Sequence, residues 1–382
     1  MTLVLRGAVL RGRRLSPGAV AVAGGRVIVA SGRGRAVDLP DGWIVAPGMV
    51  DLQVNGFAGA EVGDDPDALA AVARALPAAG VTGFCPTLVS RSERAYRRAA
   101  RALAAAPWPA EGARPLGVHL EGPFLAPARA GAHDPRALRG PAPEAVARLA
   151  ELLRPRIVTL APELPGALDA IARLARAGTL VSLGHTDAGA EAGRRAIAAG
   201  ARMVTHALNA MRGLERREPS ALAAALLDRR VRIGLIGDGV HVAAEIAALL
   251  ARLAGPRLAL VSDATAAAGA PPGRNRLAGR SVASDGVRCL AGGRLAGSAA
   301  GLDLGPRTLV AAGVPVAAAL AAAAVTPRRV LGLPAGLAPG DPADLVVLDE
   351  GLVPRLTLAG GRVAHADAAL PFAAPDPGER AG

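Results

Sequence analysis

Eight short apolar runs organise residues 47–334: MVDLQVN, GFCPTLV, LGVHLEG, RIVTLAPE, LVSLGHT, MVTHAL, RIGLIGDG and LALVSDA. Helical stretches of alanine, leucine and arginine with amphipathic spacing follow most of them, PDALAAVARALPAAG and PEAVARLAELLR among them. Eight strand–helix units over about 290 residues have the size and rhythm of an α/β protein built as a (β/α)8 TIM-like barrel. A doubly wound sheet is the rival, but no G-x-G-x-x-G follows a first strand.

The two ends read differently. LVLRGAVL, GAVAVAGGRVIVAS and WIVAP occupy residues 1–46, and ADLVVLD and PRLTLAGGRVAH lie in 335–382. These are β-branched runs punctuated by Gly and Pro. They are expected to pair into one small β-sandwich domain built from both termini, with the barrel over 47–334 between them. The final APDPGERAG reads as a frayed tail. The uncharged stretch 309–325 is alanine-rich, is broken by Gly313 and Pro315, and falls short of the ~20 residues of a membrane span. It predicts a buried helix, and no membrane partner is expected. At the start, arginines follow the apolar run, the reverse of a secretory leader.

Two absences narrow the chemistry. The chain contains no lysine, so all 44 basic residues are arginine. That excludes a Walker-type phosphate loop, a Schiff-base mechanism and a metal pair bridged by carboxylated lysine. Cys85 and Cys289 stand far apart, which excludes a disulfide scaffold and a Cys-ligated zinc or iron–sulfur site and fits a reducing, cytoplasmic setting. The net charge of +12 comes with scattered arginines and only seven aromatics, two Trp, one Tyr and four Phe. No nucleic-acid partner is therefore expected, although a basic surface helps gather an anionic small substrate.

Polar residues cluster at the predicted strand ends. Four of the six histidines end or follow such runs, in VHLEG, SLGHT, VTHAL and GDGVH, and LALVSD ends in Asp263. In a barrel these ends converge on one face, where catalysis takes place. Glu121, His185 and His206 together make a carboxylate–imidazole–imidazole set suited to Zn²⁺ with a fourth position open. Such an ion acidifies a water and polarises a carbonyl. Asp263 stands across from it as general base. Each of these residues alone reads better as a structural residue, a cap or a turn; their order, each after its own strand, favours a metal hydrolase.

The motifs Ala46-Pro47-Gly48-Met49-Val50-Asp51-Leu52-Gln53-Val54-Asn55-Gly56, His119-Leu120-Glu121-Gly122-Pro123-Phe124-Leu125, Gly131-Ala132-His133-Asp134-Pro135 and Gly184-His185-Thr186-Asp187-Ala188 occur in order. They are followed by Thr205-His206-Ala207-Leu208-Asn209-Ala210-Met211, Arg217-Glu218-Pro219, Gly237-Asp238-Gly239-Val240-His241-Val242, Val261-Ser262-Asp263-Ala264-Thr265 and Leu295-Ala296-Gly297-Ser298. In these the chain resembles, essentially end to end, the N-acetylglucosamine-6-phosphate deacetylase family of the amidohydrolase superfamily.

The resemblance implies metal-dependent hydrolysis of the N-acetyl group of N-acetylglucosamine 6-phosphate, with Glu121, His185 and His206 as metal ligands and Asp263 as acid/base. It places His133 and Ala132 beside the acetamido group. Asn209, Ala210 and His241 meet the sugar phosphate, together with an Arg217 lent by the partner subunit of a homodimer. Leu295, Ala296 and Gly297 close over the sugar. Ala207, smaller than the family's usual residue, is expected to loosen the wall of the sugar site. His119 shares a strand face with Glu121 and is expected to orient that carboxylate. Where many barrel amidohydrolases carry a His-x-His metal pair, this chain has Gln53-Val54-Asn55. Amides are poor zinc ligands, so one divalent ion per subunit is expected, Zn²⁺ first and Fe²⁺ second, with Gln53 left free for the water or the substrate carbonyl. The rivals are an N-acetylgalactosamine-6-phosphate deacetylase, a cyclic-amide hydrolase, and a non-catalytic sensor of amino-sugar phosphates.

Overall fold

A computed structural model describes residues 2–30, 34–368 and 370. The terminal APDPGERAG lies outside them. All eight predicted runs are strands: Met49–Val54, Val81–Leu88, His119–Glu121, Ile157–Leu160, Leu180–Leu183, Met203–Val204, Arg232–Ile236 and Leu258–Val261. Each pairs in parallel with the next. The ring closes where Val54 bridges Ala264 in parallel and the Asn55 N–H donates to the Ala264 carbonyl at 2.7 Å.

The helices between strands are anchored by local chemistry. Pro66–Ala75 begins after Asp65, whose carboxylate accepts the Asp67 N–H, and it buries Leu69, Ala70, Val72 and Ala73 against the barrel. Glu93–Ala105 begins after Ser92, which accepts the Ala95 N–H. Such a cap stabilises a helix by about 1 kcal/mol. The uncharged stretch 309–325 is divided between two helices, Leu304–Ala311 and Val316–Ala324, with Gly313 and Pro315 at the break. The second is buried from Ala319 to Ala324. Among the described residues no helix is long and apolar enough to cross a membrane.

The ends of the chain share one eight-stranded sheet. Ile44–Pro47 sits at its centre, parallel to Leu3–Arg11 and antiparallel to Leu345–Leu348. Leu3–Arg11 also pairs with Arg35–Asp38 along the same edge, so the sheet forks there. A core of Leu5, Val9, Val20, Val45, Leu345, Val347 and Leu356 fills it. The buried Arg328 guanidinium donates to the Gly48 carbonyl at 2.9 Å, tying the last helix to the start of the barrel.

The sequence reading missed one element. A four-stranded antiparallel sheet, Gly273–Leu277, Arg280–Ser284, Arg288–Ala291 and Arg294–Ser298, is inserted after the last barrel strand. Its last strand returns to the barrel mouth. There the Ser298 N–H donates to the Asp263 carbonyl at 2.9 Å, and the Thr265 N–H donates to the Ser298 carbonyl at 3.0 Å.

Candidate active site

Where the strands end, the backbone turns sharply. His185, His206 and Asp263 have φ of 50°, 28° and 50°, and Leu208 and Ala210 follow at 74° and 47°. Non-glycine residues held in this region cost about 1–3 kcal/mol each and cluster at functional sites. The turns aim three side chains from three strands at one point, opposite Glu121 at the end of the third. The mouth is a cavity of about 530 Å³.

Glu121, His185 and His206 are all buried, and their donor atoms lie within 4.8 Å of one another. Glu121 Oε1 is 3.1 Å from His185 Nε2 and 3.0 Å from His206 Nε2, and the two nitrogens are 3.2 Å apart. His185 Nδ1 lies 2.9 Å from the Arg129 carbonyl, which can only accept, so this nitrogen carries the proton. Its Nε2 therefore points a lone pair at a carboxylate oxygen and at a second imidazole. Lone pairs converging in this way repel unless a proton or a cation lies among them. A tetrahedral ion with ligand distances of about 2.0–2.1 Å needs donor–donor edges of about 3.3–3.4 Å, close to those present. Without an ion, the electrostatics favour a proton in that place, which a divalent cation would displace. Burial pushes the Glu121 carboxyl up, yet the imidazoles of His133, His185 and His206 overcome it and hold it well below the usual range. Burial lowers His206, but Glu121 more than offsets this and raises it. The residues therefore fit a divalent cation. Among the described residues no other trio of His, Cys, Asp or Glu donors converges like this.

Asp263 faces the cluster from the last strand. Its Oδ1 accepts the Gln53 amide at 2.9 Å and the Asn55 amide at 2.7 Å. Burial, then the Glu121 charge, raises its carboxyl to about 6. His133 lies 3.7 Å from Glu121 through Nε2. The Ser90 N–H donates to His133 Nδ1 at 3.2 Å, which leaves the proton on Nε2. Burial, then the neighbouring His185, pushes this imidazole down to about 4, so it is a neutral donor at pH 7.

Among the remaining expected site residues, Asn55, Ala132, Asn209, Ala210, His241, Leu295 and Gly297 line the cavity. The Asn209 amide donates to the His206 carbonyl at 3.2 Å, which fixes its turn. Arg217 is exposed and does not reach the cavity of its own chain.

Four expectations need correction. Gln53 is not free, because its amide nitrogen also donates to Glu121 Oε1 at 3.0 Å and so bridges the two carboxylates. His119 makes no hydrogen bond to Glu121. Its ring spans the Leu52 carbonyl (2.9 Å) and Thr159 Oγ1 (2.7 Å), in a buried hydroxyl chain that runs on to Thr205 and Ser182. Ala296 points away from the cavity into a small core with Leu277, Val282 and Cys289, because strand alternation sends it opposite to Leu295 and Gly297. Ala207 is fully buried in the main core and forms no wall of the site. Sequence reasoning also missed Ser90, Asp238 and Ser298. Only Asp238 left a signal, its three-residue spacing from His241.

Residues 44–376 match the model of the amidohydrolase family. Over 338 residues the chain is 36% identical to the N-acetylglucosamine-6-phosphate deacetylase of Danio rerio, covering 84% of each protein. It is 38% identical over 325 residues to the N-acetylgalactosamine-6-phosphate deacetylase of Escherichia coli O157:H7, covering 82% of this chain and 85% of that protein. A crystal structure of N-acetyl-D-glucosamine-6-phosphate deacetylase from Mycobacterium smegmatis superposes with a TM-score of 0.88 at 37% identity, over 95% of this chain and 99% of that one.

Proposed function

The chain belongs to the amidohydrolase family, and from that premise we propose that it hydrolyses N-acetylglucosamine 6-phosphate to glucosamine 6-phosphate and acetate. The observation that carries this reading is the triangle of Glu121, His185 and His206 donors facing a separately held carboxylate, Asp263. The gluco epimer is favoured over the galacto one by its recurrence among the curated relatives and by the M. smegmatis structure.

Glu121, His185 and His206 hold one divalent ion, Zn²⁺ first and Fe²⁺ second. That ion supplies Lewis acidity, acidifying a water and polarising the amide carbonyl. The protein's own residues do the rest. Gln53 and Asn55 occupy one oxygen of Asp263 and leave the other facing the cavity. Asp263 accepts a proton from the attacking water and returns it to the departing nitrogen, since an amine leaves poorly unless protonated. The His133 Nε2–H donates to the oxygen on which charge develops, a pre-set contribution of the kind that dominates such reactions.

Asn209, Ala210 and His241 receive the phosphate, and Leu295 and Gly297 cover the sugar. The subunits form a homodimer in which the partner subunit's Arg217 completes the anion site. Two observations support this: Arg217 is exposed and outside the lining of its own cavity, and the neighbouring Glu218 is tied by Arg212, which binds Asp187 and Glu218 at 3.1 Å each. A cytoplasmic setting suits the two unpaired, buried cysteines. Acetate release from the two epimeric 6-phosphates and from unphosphorylated N-acetylglucosamine tests the reading. Turnover is expected to be highest on the gluco 6-phosphate. Equal turnover without phosphate, or none on any of the three, would overturn it.

A further inference from the structure

At the end of the seventh barrel strand, Asp238 is nearly inaccessible, its side chain only 5% exposed. Its carboxylate takes part in four hydrogen bonds. Oδ1 accepts the backbone N–H groups of Val240 and His241, both at 2.9 Å. Oδ2 lies 2.8 Å from His241 Nδ1 and accepts the Ser298 hydroxyl at 2.7 Å. An ionised carboxylate has no proton to donate, so the His241 Nδ1 carries it. Three segments thus meet on one carboxylate: its own strand end, the His241 turn, and the last strand of the inserted sheet. That strand pairs with the backbone around Asp263 through Ser298.

We propose that Asp238 is a positioning residue for anion recognition: it fixes the His241 ring so that Nε2 faces the cavity as a donor to the substrate's phosphate, and ties that donor to the strand covering the site. With Nδ1–H committed to a carboxylate, the ring can donate from Nε2 only as an imidazolium. When the ring donates to an anion, the carboxylate held at Nδ1 offsets the charge it then carries. An amide at 238 has one oxygen for these two acceptor positions, so whichever way it turns, either the two backbone N–H groups or the His241 Nδ1 and Ser298 donors lose their partner. The inference rests on the reading that His241 meets the phosphate.

The probes are N-acetylglucosamine 6-phosphate and unphosphorylated N-acetylglucosamine, used with metal-loaded enzyme. The quantity read is the ratio of kcat/KM for the two. In Asp238→Asn the ratio is expected to fall roughly ten- to a hundredfold, the usual worth of a hydrogen bond to a charged group, and mainly through KM for the phosphorylated sugar. Asp238→Glu, which keeps the charge, should recover part of the ratio. Asp238→Asn combined with His241→Gln should lower the ratio no further than His241→Gln alone, because Asp238 acts through His241. If His241→Gln lowers the ratio but Asp238→Asn leaves it at the wild-type value, or if the two effects multiply, the inference fails and the phosphate reading stands. If His241→Gln itself leaves the ratio unchanged, the phosphate reading fails first. Circular dichroism and melting curves identify any variant that does not fold. In that case Ser298→Ala, which removes one Oδ2 partner and leaves the His241 contact, is expected to lower the ratio less than His241→Gln; a larger fall would overturn the assignment.

Discussion

Replacing Asp263 by Asn should separate chemistry from folding. The carboxylate sits at the barrel rim, 9% exposed, with Oδ1 held by two amide donors at 2.9 and 2.7 Å. An amide has one oxygen, and orientation with its NH₂ toward Gln53 and Asn55 would set donor against donor. The oxygen therefore keeps the Oδ1 place, and the NH₂ faces the cavity where the free carboxylate oxygen had been. Both buried hydrogen bonds survive, so the fold and the Glu121–His185–His206 triangle should be intact. What is lost is a base that, raised to about 6 by burial and then by Glu121, is largely ionised at pH 7. A positioned acid/base contributes ~10²–10⁴ in rate, about 3–5 kcal/mol of barrier. The assay is acetate release at saturating N-acetylglucosamine 6-phosphate, with metal content and melting temperature measured on the same preparation. Wild-type kcat/KM should fall as pH drops through an inflection at or below about 6, since a cation against Glu121 offsets the charge that raises Asp263. The variant should lose both the rate and this acid limb. A loss of less than about tenfold, with metal retained, would mean that another group moves the proton.

Arg217→Ala should weaken productive binding of the phosphorylated sugar by ~2–4 kcal/mol by leaving a phosphate unpaired, with little effect on the unphosphorylated one. Equal KM changes for both would make Arg217 structural. Burial pushes the Asp51 carboxyl up to about 7, with one oxygen buried and unpartnered. Because its folded value lies above the unfolded one, its contribution to stability is greatest below about pH 4 and is lost as pH rises to 7, by up to about 4 kcal/mol. Asp51→Asn should therefore gain stability relative to wild type across that window, and parallel denaturant midpoints from pH 4 to 7 would contradict this. Gly297 has φ of +67°, and a Cβ there would lie 2.6 Å from Thr265 Cγ2 and 2.8 Å from the Asp263 carbonyl oxygen. Gly297→Ala should cost about 1–3 kcal/mol of stability and lower kcat/KM, whereas an unchanged melting temperature would show that the covering strand has room to move.

The barrel was legible because apolar runs alternated with amphipathic helices, and the metal-type ligands because each stood at the end of such a run. The sheet over 273–298 was not legible. Its strands carry arginines on the solvent side and glycines at the turns, so no apolar run marks them. Ala296 could have been set apart from Leu295 and Gly297 by strand alternation alone. Residue type gave Gln53 and Asn55 as neutral amides aimed at the site. That Gln53 spans two carboxylates from two other strands depends on barrel closure, which no local pattern encodes. The same holds for His119: a histidine two residues before Glu121 shares its face, but in the barrel its ring hydrogen-bonds Leu52 and Thr159 from two other strands.

A single cation is expected between Glu121, His185 and His206, since Gln53 and Asn55 hold carboxylates through their amide nitrogens. Enzyme stripped by a chelator, then titrated with Zn²⁺ while acetate release from N-acetylglucosamine 6-phosphate is followed, tests it directly. Activity should rise linearly and level off at one equivalent per subunit, with elemental analysis of the active protein agreeing. Activity that keeps rising to two tightly bound equivalents, or that is full without any metal, would contradict the account.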